Sequence, residues 1–143
     1  MRVAFFAVLA MVFVPVAFAD DIETVQKYRH GVYEAIGGHM GSIVQIVRNG
    51  YRMGDLQYHA DAMQGLSMIT PDLFPEGSGG GDTEALPVIW EEPEEFSERM
   101  NDFQMAAGKM AEVASSGDMR EIGGALQGLG RSCKGCHDNF RAE

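Results

Sequence analysis

The stretch RSCKGCHDNF, residues 131–140, contains both cysteines of this 143-residue chain and a histidine directly after the second cysteine. Residues three and four positions apart lie on the same face of a helix, so Cys133, Cys136 and His137 are expected to project from one patch. A disulfide between cysteines this close in sequence closes a loop of only a few residues, which adds little to the stability of a fold. The pair therefore points to a chemical role.

Apolar residues recur at intervals of three and four in the rest of the chain, which predicts four amphipathic helices. The predicted helices cover about 22–48, 55–69, Pro93 to 114, and Asp118 through the cysteine motif. Residues that commonly end helices separate them: Asn49-Gly50, Pro71 and Ser115-Ser116-Gly117. The predicted fold class is all-α, an antiparallel four-helix bundle with a long Pro- and Gly-rich loop between helices 2 and 3.

The same spacing predicts which side of each helix faces the core. In the first helix this side carries Val25, Tyr28, Val32, Ala35 or Ile36, Met40, Ile43 and Val47. In the last helix it carries Ile122, Leu126, Leu129, Cys133, Cys136 or His137, and Phe140, so the cysteine motif is expected to face the bundle core. Met100, Met105 and Met110 are interpreted as core residues and not as metal ligands.

Residues 1–19 have the features of a secretory signal: Arg2, a long apolar run and the small-x-small end Ala17-Phe18-Ala19. A membrane anchor is the competing interpretation, but the apolar run is short and contains Pro15. Cleavage after Ala19 would leave residues 20–143 as one domain with no membrane span. That domain has ten basic and 21 acidic residues, a formal net charge of −11 that disfavours nucleic acid as a partner.

The Cys-x-x-Cys-His pattern in an exported chain is the arrangement that covalent attachment of a c-type haem requires. Two thiols bond to the haem vinyl groups, and the adjacent histidine binds iron through a ring nitrogen. A thioredoxin-like pair would be expected in a βαβ setting, which the sequence does not predict. A non-haem helical module that binds zinc or copper through the cysteines and His30, His39 or His59 is an open alternative.

The segment Cys133-Lys134-Gly135-Cys136-His137 near the end of a four-helix chain resembles the class II c-type cytochromes, in particular cytochrome c′. The resemblance extends to three further stretches and to the whole last helix. The three stretches are KYRHGVYEAIGGHMGSI (27–43), LFPEGS (73–78) and TEALPVIW (83–90), and the last helix is GALQGLGRSCKGCHDNFRAE (124–143). It thus covers essentially all of residues 20–143, and it implies one covalently attached haem c per chain.

The resemblance implies thioether bonds at Cys133 and Cys136 and an axial iron ligand at His137. Arg29 matches an arginine near the haem propionates, where it would pair with a carboxylate. Tyr33, one turn further along the first helix, matches the bulky residue that covers the open face of the iron in cytochrome c′.

Four further residues match haem-contacting positions of the family. Thr83 and Glu84 match loop residues that line the haem, and Arg141 matches a basic residue one turn after the proximal histidine. His30 departs from the family pattern, which often has Gln at this position; because a histidine near the haem could bind the iron, His30 is also a candidate sixth ligand.

The function implied by the resemblance is periplasmic one-electron transfer and binding of small diatomic gases such as nitric oxide and carbon monoxide, with no enzymatic activity. The iron is expected to be five-coordinate through His137, because the first helix has no methionine near Arg29 that could bind the iron. The nearest methionine of that helix, Met40, lies about 16 Å further along the axis. A six-coordinate low-spin electron carrier is the alternative. The family resemblance also implies a homodimer and a redox partner that the sequence does not identify.

Overall fold

The structure is a computed structural model that describes residues 21–142, so the predicted signal sequence lies outside the described residues. Its helices are α1 (Ile22–Asn49), α2 (Leu56–Ile69), the one-turn α3 (Val88–Glu91), α4 (Pro93–Val113) and α5 (Met119–Phe140). The four long helices form a bundle, and residues 21–142 contain no β-strand beyond one isolated bridge between Ala85 and Arg141. The predicted all-α four-helix fold is confirmed.

The ends of the long helices follow from local sequence. Helix α1 ends at Gly50, whose φ of 63° lies in the left-handed region that glycine adopts without steric cost. Helix α5 begins after Asp118, whose carboxylate accepts hydrogen bonds from the backbone N–H groups of Arg120 (2.8 Å) and Glu121 (3.2 Å). Pro93 occupies the first turn of α4, where a missing N–H costs nothing.

Consecutive long helices pack against one another, and α1 packs less extensively against α5. The main core lies between the four helices, and its largest fully buried apolar side chains are Ile43, Leu56, Met63, Met110, Ile122 and Leu129. A second apolar cluster lies where α3 meets α4 and the end of α5, and it consists of Ile89, Phe96, Met100 and Phe140. The second cluster forms part of the wall of the candidate site.

Two core predictions from the sequence are wrong. Tyr28 is 59% exposed, and the adjacent Arg29 is only 4% exposed, because the buried side of α1 runs through Arg29, Val32, Ile36, Ile43 and Ile46. Met105 is also 59% exposed, since it lies off the α4 stripe of Phe96, Met100, Phe103, Ala107 and Met110. Hydropathy alone placed the ring of Tyr28 on the inner side of α1, where the structure places Arg29.

The long loop between α2 and α4 is closely packed. Trp90 donates from Nε1 to the backbone carbonyl oxygens of Phe74 (3.1 Å) and Pro75 (3.2 Å), which holds the start of the loop against its end. A Cβ atom at Gly79 would lie 2.7 Å from the Trp90 ring, so the backbone there can approach the indole only as glycine.

Among the helices of residues 21–142, none is both long and apolar enough to span a membrane.

Candidate functional site

A cavity of about 790 Å³ lies between α1, the long loop and the C-terminal end of α5. Its volume is within the usual range of small-molecule and cofactor sites, about 300–1,000 Å³. Eight residues that the sequence singles out line it: Arg29, His30, Tyr33, Thr83, Glu84, Cys136, His137 and Arg141. Cys133 is the exception; it is half-buried on α5, one turn before His137.

Arg29 is a buried cation held by the long loop. Its guanidinium donates to the Leu73 carbonyl (3.2 Å), the Ser78 hydroxyl (3.0 Å), the Ser78 carbonyl (2.9 Å) and the Thr83 hydroxyl (2.9 Å). It also lies 4.8 Å from the centroid of the Phe74 ring, a favourable cation–π distance. None of its partners is negatively charged, and burial lowers the pKa of Arg29. A buried guanidinium that lines a cavity without a counter-ion favours an anionic group inside that cavity.

The loop forms another wall of the cavity and is joined to the end of α5. Glu84 accepts a hydrogen bond of 2.6 Å from Nε of Arg141, and its backbone oxygen accepts from the N–H of Ala142 at 2.8 Å. The N–H of Leu86 donates to the carbonyl of Phe140 at 3.0 Å. Because Arg141 stabilises the carboxylate, the pKa of Glu84 is lowered. The loop thus closes one side of the cavity.

Tyr33 projects from α1 and is half-buried. Its hydroxyl lies 3.9 Å from the sulfur of Met100, and its ring meets Phe74 edge to face with centroids 6.0 Å apart. Burial raises the pKa of Tyr33 well above its ordinary value, and the nearby Cys136 adds to the effect. The phenol is therefore uncharged at neutral pH and acts in the cavity by its bulk and its hydroxyl.

His30 lies at the edge of the cavity and turns toward solvent. Its Nε2 is 3.4 Å from the carboxylate of Glu34 one turn further along α1, and its side chain is 75% exposed. The sequence did not reveal this pairing, although Glu34 is four residues away, because the sequence does not decide which way an imidazole at the edge of a cavity turns.

The thiols are poor candidates for thiolate chemistry. Burial raises the pKa of Cys136 to about 11, with a further rise from the neighbouring Cys133, and burial also raises the pKa of Cys133. Redox-active and metal-binding cysteines instead have thiolates that form readily. For His137, partial desolvation and the nearby Arg141 lower the pKa. The imidazole is thus favoured in the uncharged form that ligates a metal.

The sequence assigned no individual role to Ser78 and Phe74, which shape the site, and it assigned Met100 only to the core. Ser78 is buried and accepts twice from Arg29, yet it stands in the segment EGSGGG, which has the composition of a flexible loop. Phe74 packs against Tyr33 and Phe96, and Met100 accepts from the Tyr33 hydroxyl. The burial of Arg29 is the signal that could have found Ser78, since a buried guanidinium needs nearby acceptors.

The residues around the cavity fit a c-type haem. Buried Arg29 provides a cation for a propionate, and His137 provides a neutral imidazole. Cys133 and Cys136 provide thiols on the same helix as His137, and the Phe74, Phe96 and Phe140 side chains provide apolar surface for a macrocycle.

The comparisons with known proteins agree with this fit. The model of the family described as Cytochrome C' matches residues 24–141. Cytochrome c-554 of Cereibacter sphaeroides is 34% identical over 86% of this chain and 96% of its own length. Cytochrome c' of Pararhodospirillum photometricum is 36% identical over 83% of this chain and 97% of its own length.

Solved structures show the same fold. Cytochrome c prime from Shewanella frigidimarina superposes with a TM-score of 0.83 at 31% identity, covering 87% of this chain and 98% of that one. A nitric oxide complex of a mutant cytochrome c prime from Alcaligenes xylosoxidans has a TM-score of 0.79 at 27% identity, with 87% and 98% coverage.

Proposed function

The chain belongs to the cytochrome c′ family, and we propose that it is a periplasmic monohaem cytochrome that transfers single electrons and binds small diatomic gases. The observation that carries this proposal is the cavity in which Arg29 and Tyr33 from α1 face Cys136 and His137 from α5. One helix thus supplies the cation and the bulky cover, and the other supplies the attachment motif.

In this proposal, residues 20–143 form the haem domain and Cys133 and Cys136 carry the two thioether bonds to one haem c. His137 is the axial ligand, Arg29 pairs with a propionate, and the loop residues Thr83 and Glu84 line the cofactor together with Arg141. When bound, the haem supplies a one-electron redox couple and an open coordination position for a gas.

The chain's own residues determine access to that position. Tyr33 is uncharged and lies against Phe74 and Met100, so it occupies the space that an incoming molecule needs. His30 turns toward Glu34 and solvent, which supports a five-coordinate iron. The nitric oxide complex of the Alcaligenes xylosoxidans relative supports nitric oxide as one ligand of this chain.

The proposed setting and partners follow from charge and exposed surface. Residues 1–19 would direct export and be removed, which places the mature chain in the periplasm. Its net charge of −11 favours a redox partner with a basic docking surface. Large exposed apolar side chains on and near α1 and α2, namely Tyr28, Tyr51, Tyr58, Met68 and Ile69, support a homodimer, which light scattering would test.

Optical spectroscopy of the purified mature protein tests the proposed function. A Soret band and a ferrous high-spin spectrum at neutral pH are expected, and both nitric oxide and carbon monoxide should shift the Soret band. A colourless protein would refute the haem assignment. A low-spin ferrous spectrum that neither gas perturbs would instead identify a six-coordinate carrier.

A further inference from the structure

A pair of histidines lies between α1 and α2, apart from the haem cavity. The Nδ1 atoms of His39 on α1 and His59 on α2 are 2.9 Å apart, and their ring centroids are 5.1 Å apart with the planes at 62°. Tyr58 lies against both rings, with centroids 6.0 Å from His39 and 5.4 Å from His59. Neither histidine lines the haem cavity.

The spacing of these two nitrogens resembles that of neighbouring ligands on a metal ion. Imidazole nitrogens bind first-row metals at about 2.0–2.1 Å. Two such nitrogens at 90° are therefore about 2.9 Å apart, and at the tetrahedral angle they are about 3.3 Å apart. The observed 2.9 Å matches adjacent positions in a square-planar or tetragonal site, which is the geometry of Cu²⁺.

We propose that His39 and His59 bind one Cu²⁺ ion through their Nδ1 atoms. In the metal-free pair one Nδ1 can donate its hydrogen to the other. The ion would displace that proton from Nδ1, and the same ring would take up a proton from solvent at Nε2, so that both rings ligate as neutral imidazoles with no net proton release. Each ring would turn about its Cβ–Cγ bond to direct the Nδ1 lone pair at the metal. The half-buried position of both rings leaves one side open for the ion to enter.

Water completes the ligand set. Within residues 21–142 no group of three or more His, Cys, Asp and Glu side chains is arranged to hold a metal. Asp55, one turn before His59, is already paired with Arg52. A site with two protein ligands exchanges its metal readily, and among divalent first-row ions Cu²⁺ binds most strongly to nitrogen ligands. The formal net charge of −11 on residues 20–143 further favours a cation.

Calorimetry and electron paramagnetic resonance on the oxidised holoprotein, stripped with chelator and titrated with CuCl₂, test this site. One equivalent of copper should bind with a tetragonal signal that shows two equatorial nitrogens. His39→Gln and His59→Gln should each weaken binding by at least about tenfold, because removing a ligand should cost no less than removing a residue that merely orients one. His30→Gln is the matched control, since His30 is an exposed histidine on the same helix as His39, and it should leave the affinity unchanged.

Histidine modification provides a second test on the unaltered chain. Diethyl pyrocarbonate followed by peptide mass analysis should show that Cu²⁺ protects His39 and His59 while His30 stays reactive, and that Mg²⁺ protects none of them. Equal copper affinity in the H39Q/H59Q double variant would overturn the proposal. So would the absence of both binding and protection in the wild-type protein. None of these results depends on gas binding, so failure of this site is distinguishable from failure of the haem function.

Discussion

Arg29 combines the lowest exposure of any charged side chain in residues 21–142 with four hydrogen bonds to the long loop. Hydrogen bonds to a charged group contribute about 1.5–3 kcal/mol each, although they are not additive. Arg29→Gln should therefore lower the free energy of unfolding of the holoprotein by about 2–4 kcal/mol, measured by guanidinium chloride denaturation. Lys27→Gln is the control, because Lys27 makes only an exposed pair with Glu23 on the same helix. Equal decreases in the free energy of unfolding of the two variants would contradict the role of Arg29 in holding the loop.

Tyr33 should act as a steric gate over the open iron position. Any incoming ligand must displace a ring that is packed against Phe74 and Met100, and this displacement weakens binding. Tyr33→Ala should therefore raise the affinity and on-rate for carbon monoxide by about tenfold if moving the ring costs about 1.4 kcal/mol. Flash photolysis measures both quantities.

Tyr33→Phe separates the bulk of the ring from its hydroxyl. The hydroxyl reaches only the Met100 sulfur, a weak acceptor at 3.9 Å, so the phenylalanine variant should rebind carbon monoxide as the wild type does. Identical rebinding in the wild type and in both variants would mean that Tyr33 does not cover the iron.

His30→Ala should leave the ferrous spectrum high-spin at neutral pH, since the imidazole faces Glu34 and solvent. The comparison needs only absorption spectra of the two reduced proteins. If the wild type is low-spin and the variant is high-spin, His30 is the sixth ligand.

The long helices could be predicted from the sequence because apolar spacing and end signals agree along each of them. Helix α2, predicted over 55–69, spans Leu56–Ile69, and α4 begins at Pro93 as expected. Helix α3 and the short 3₁₀ turns at Met53–Asp55 and Thr70–Leu73 were not predicted, because they are each a single turn and have no periodicity to detect. Short elements of this kind depend on tertiary packing, such as the hydrogen bonds of Trp90 to Phe74 and Pro75.

The candidate site depended on a different kind of information. The spacing of Cys133, Cys136 and His137 indicated haem attachment from local sequence alone, because all three lie within two turns of α5. Ser78 and Phe74 come from the loop and are 49 and 45 residues from Arg29 in sequence, and no local pattern joins them. The apolar spacing of α1 predicted its inner side correctly at Val32 and Ile43, but it missed Arg29, because hydropathy does not place a charged residue on a buried face.

The loop and α5 are joined by the Glu84–Arg141 pair and by backbone hydrogen bonds at Leu86 and Ala142. Glu84→Gln should increase amide hydrogen exchange in residues 82–87 severalfold, because the variant keeps the shape of the side chain and removes its charge. Glu76→Gln is the control, since Glu76 is an exposed carboxylate of the same loop that forms no ion pair with any residue in 21–142. Unchanged amide exchange in Glu84→Gln would mean that the backbone hydrogen bonds alone hold the loop against α5.

The same pair predicts a pH dependence. The pKa of Glu84 is lower in the folded protein than its ordinary value because Arg141 stabilises the carboxylate. The stabilisation is thus fully present above about pH 4.3, the ordinary pKa of Glu, and is lost as the pH falls through the lowered pKa. Wild-type exchange in the loop should rise toward that of Glu84→Gln over this acidic range, and the variant should show a smaller change. If loop exchange in the wild type and in Glu84→Gln changed with pH in parallel, the Glu84–Arg141 pair would not be the cause of the pH dependence.

A cavity of about 790 Å³ lies between α1, the long loop and the end of α5, and α1 and α5 pack less extensively than the other neighbouring long helices. A group that fills this space and binds only the folded chain stabilises the fold by mass action, and a covalent bond makes that stabilisation independent of cofactor concentration. The double variant Cys133→Ala, Cys136→Ala should therefore lose its haem to acidic acetone and unfold at a lower denaturant concentration than the wild type. Each single variant should keep one thioether bond and retain colour.

Ser132→Ala is the matched control for the cysteine variants, because Ser132 is a half-buried neighbour on α5 whose hydroxyl donates to the Leu129 carbonyl of its own helix and cannot form a thioether bond. It should keep its haem through extraction and unfold close to the wild type. The loss in the double variant is expected to come from the cavity and not from α5 itself, since alanine has a higher helix propensity than cysteine. Far-ultraviolet circular dichroism during denaturation measures the unfolding of each variant, and the acidic acetone extraction measures its haem retention. Free haem extracted from the wild type by acidic acetone would show that the attachment is not covalent, and the stability of the bundle would then depend on haem concentration.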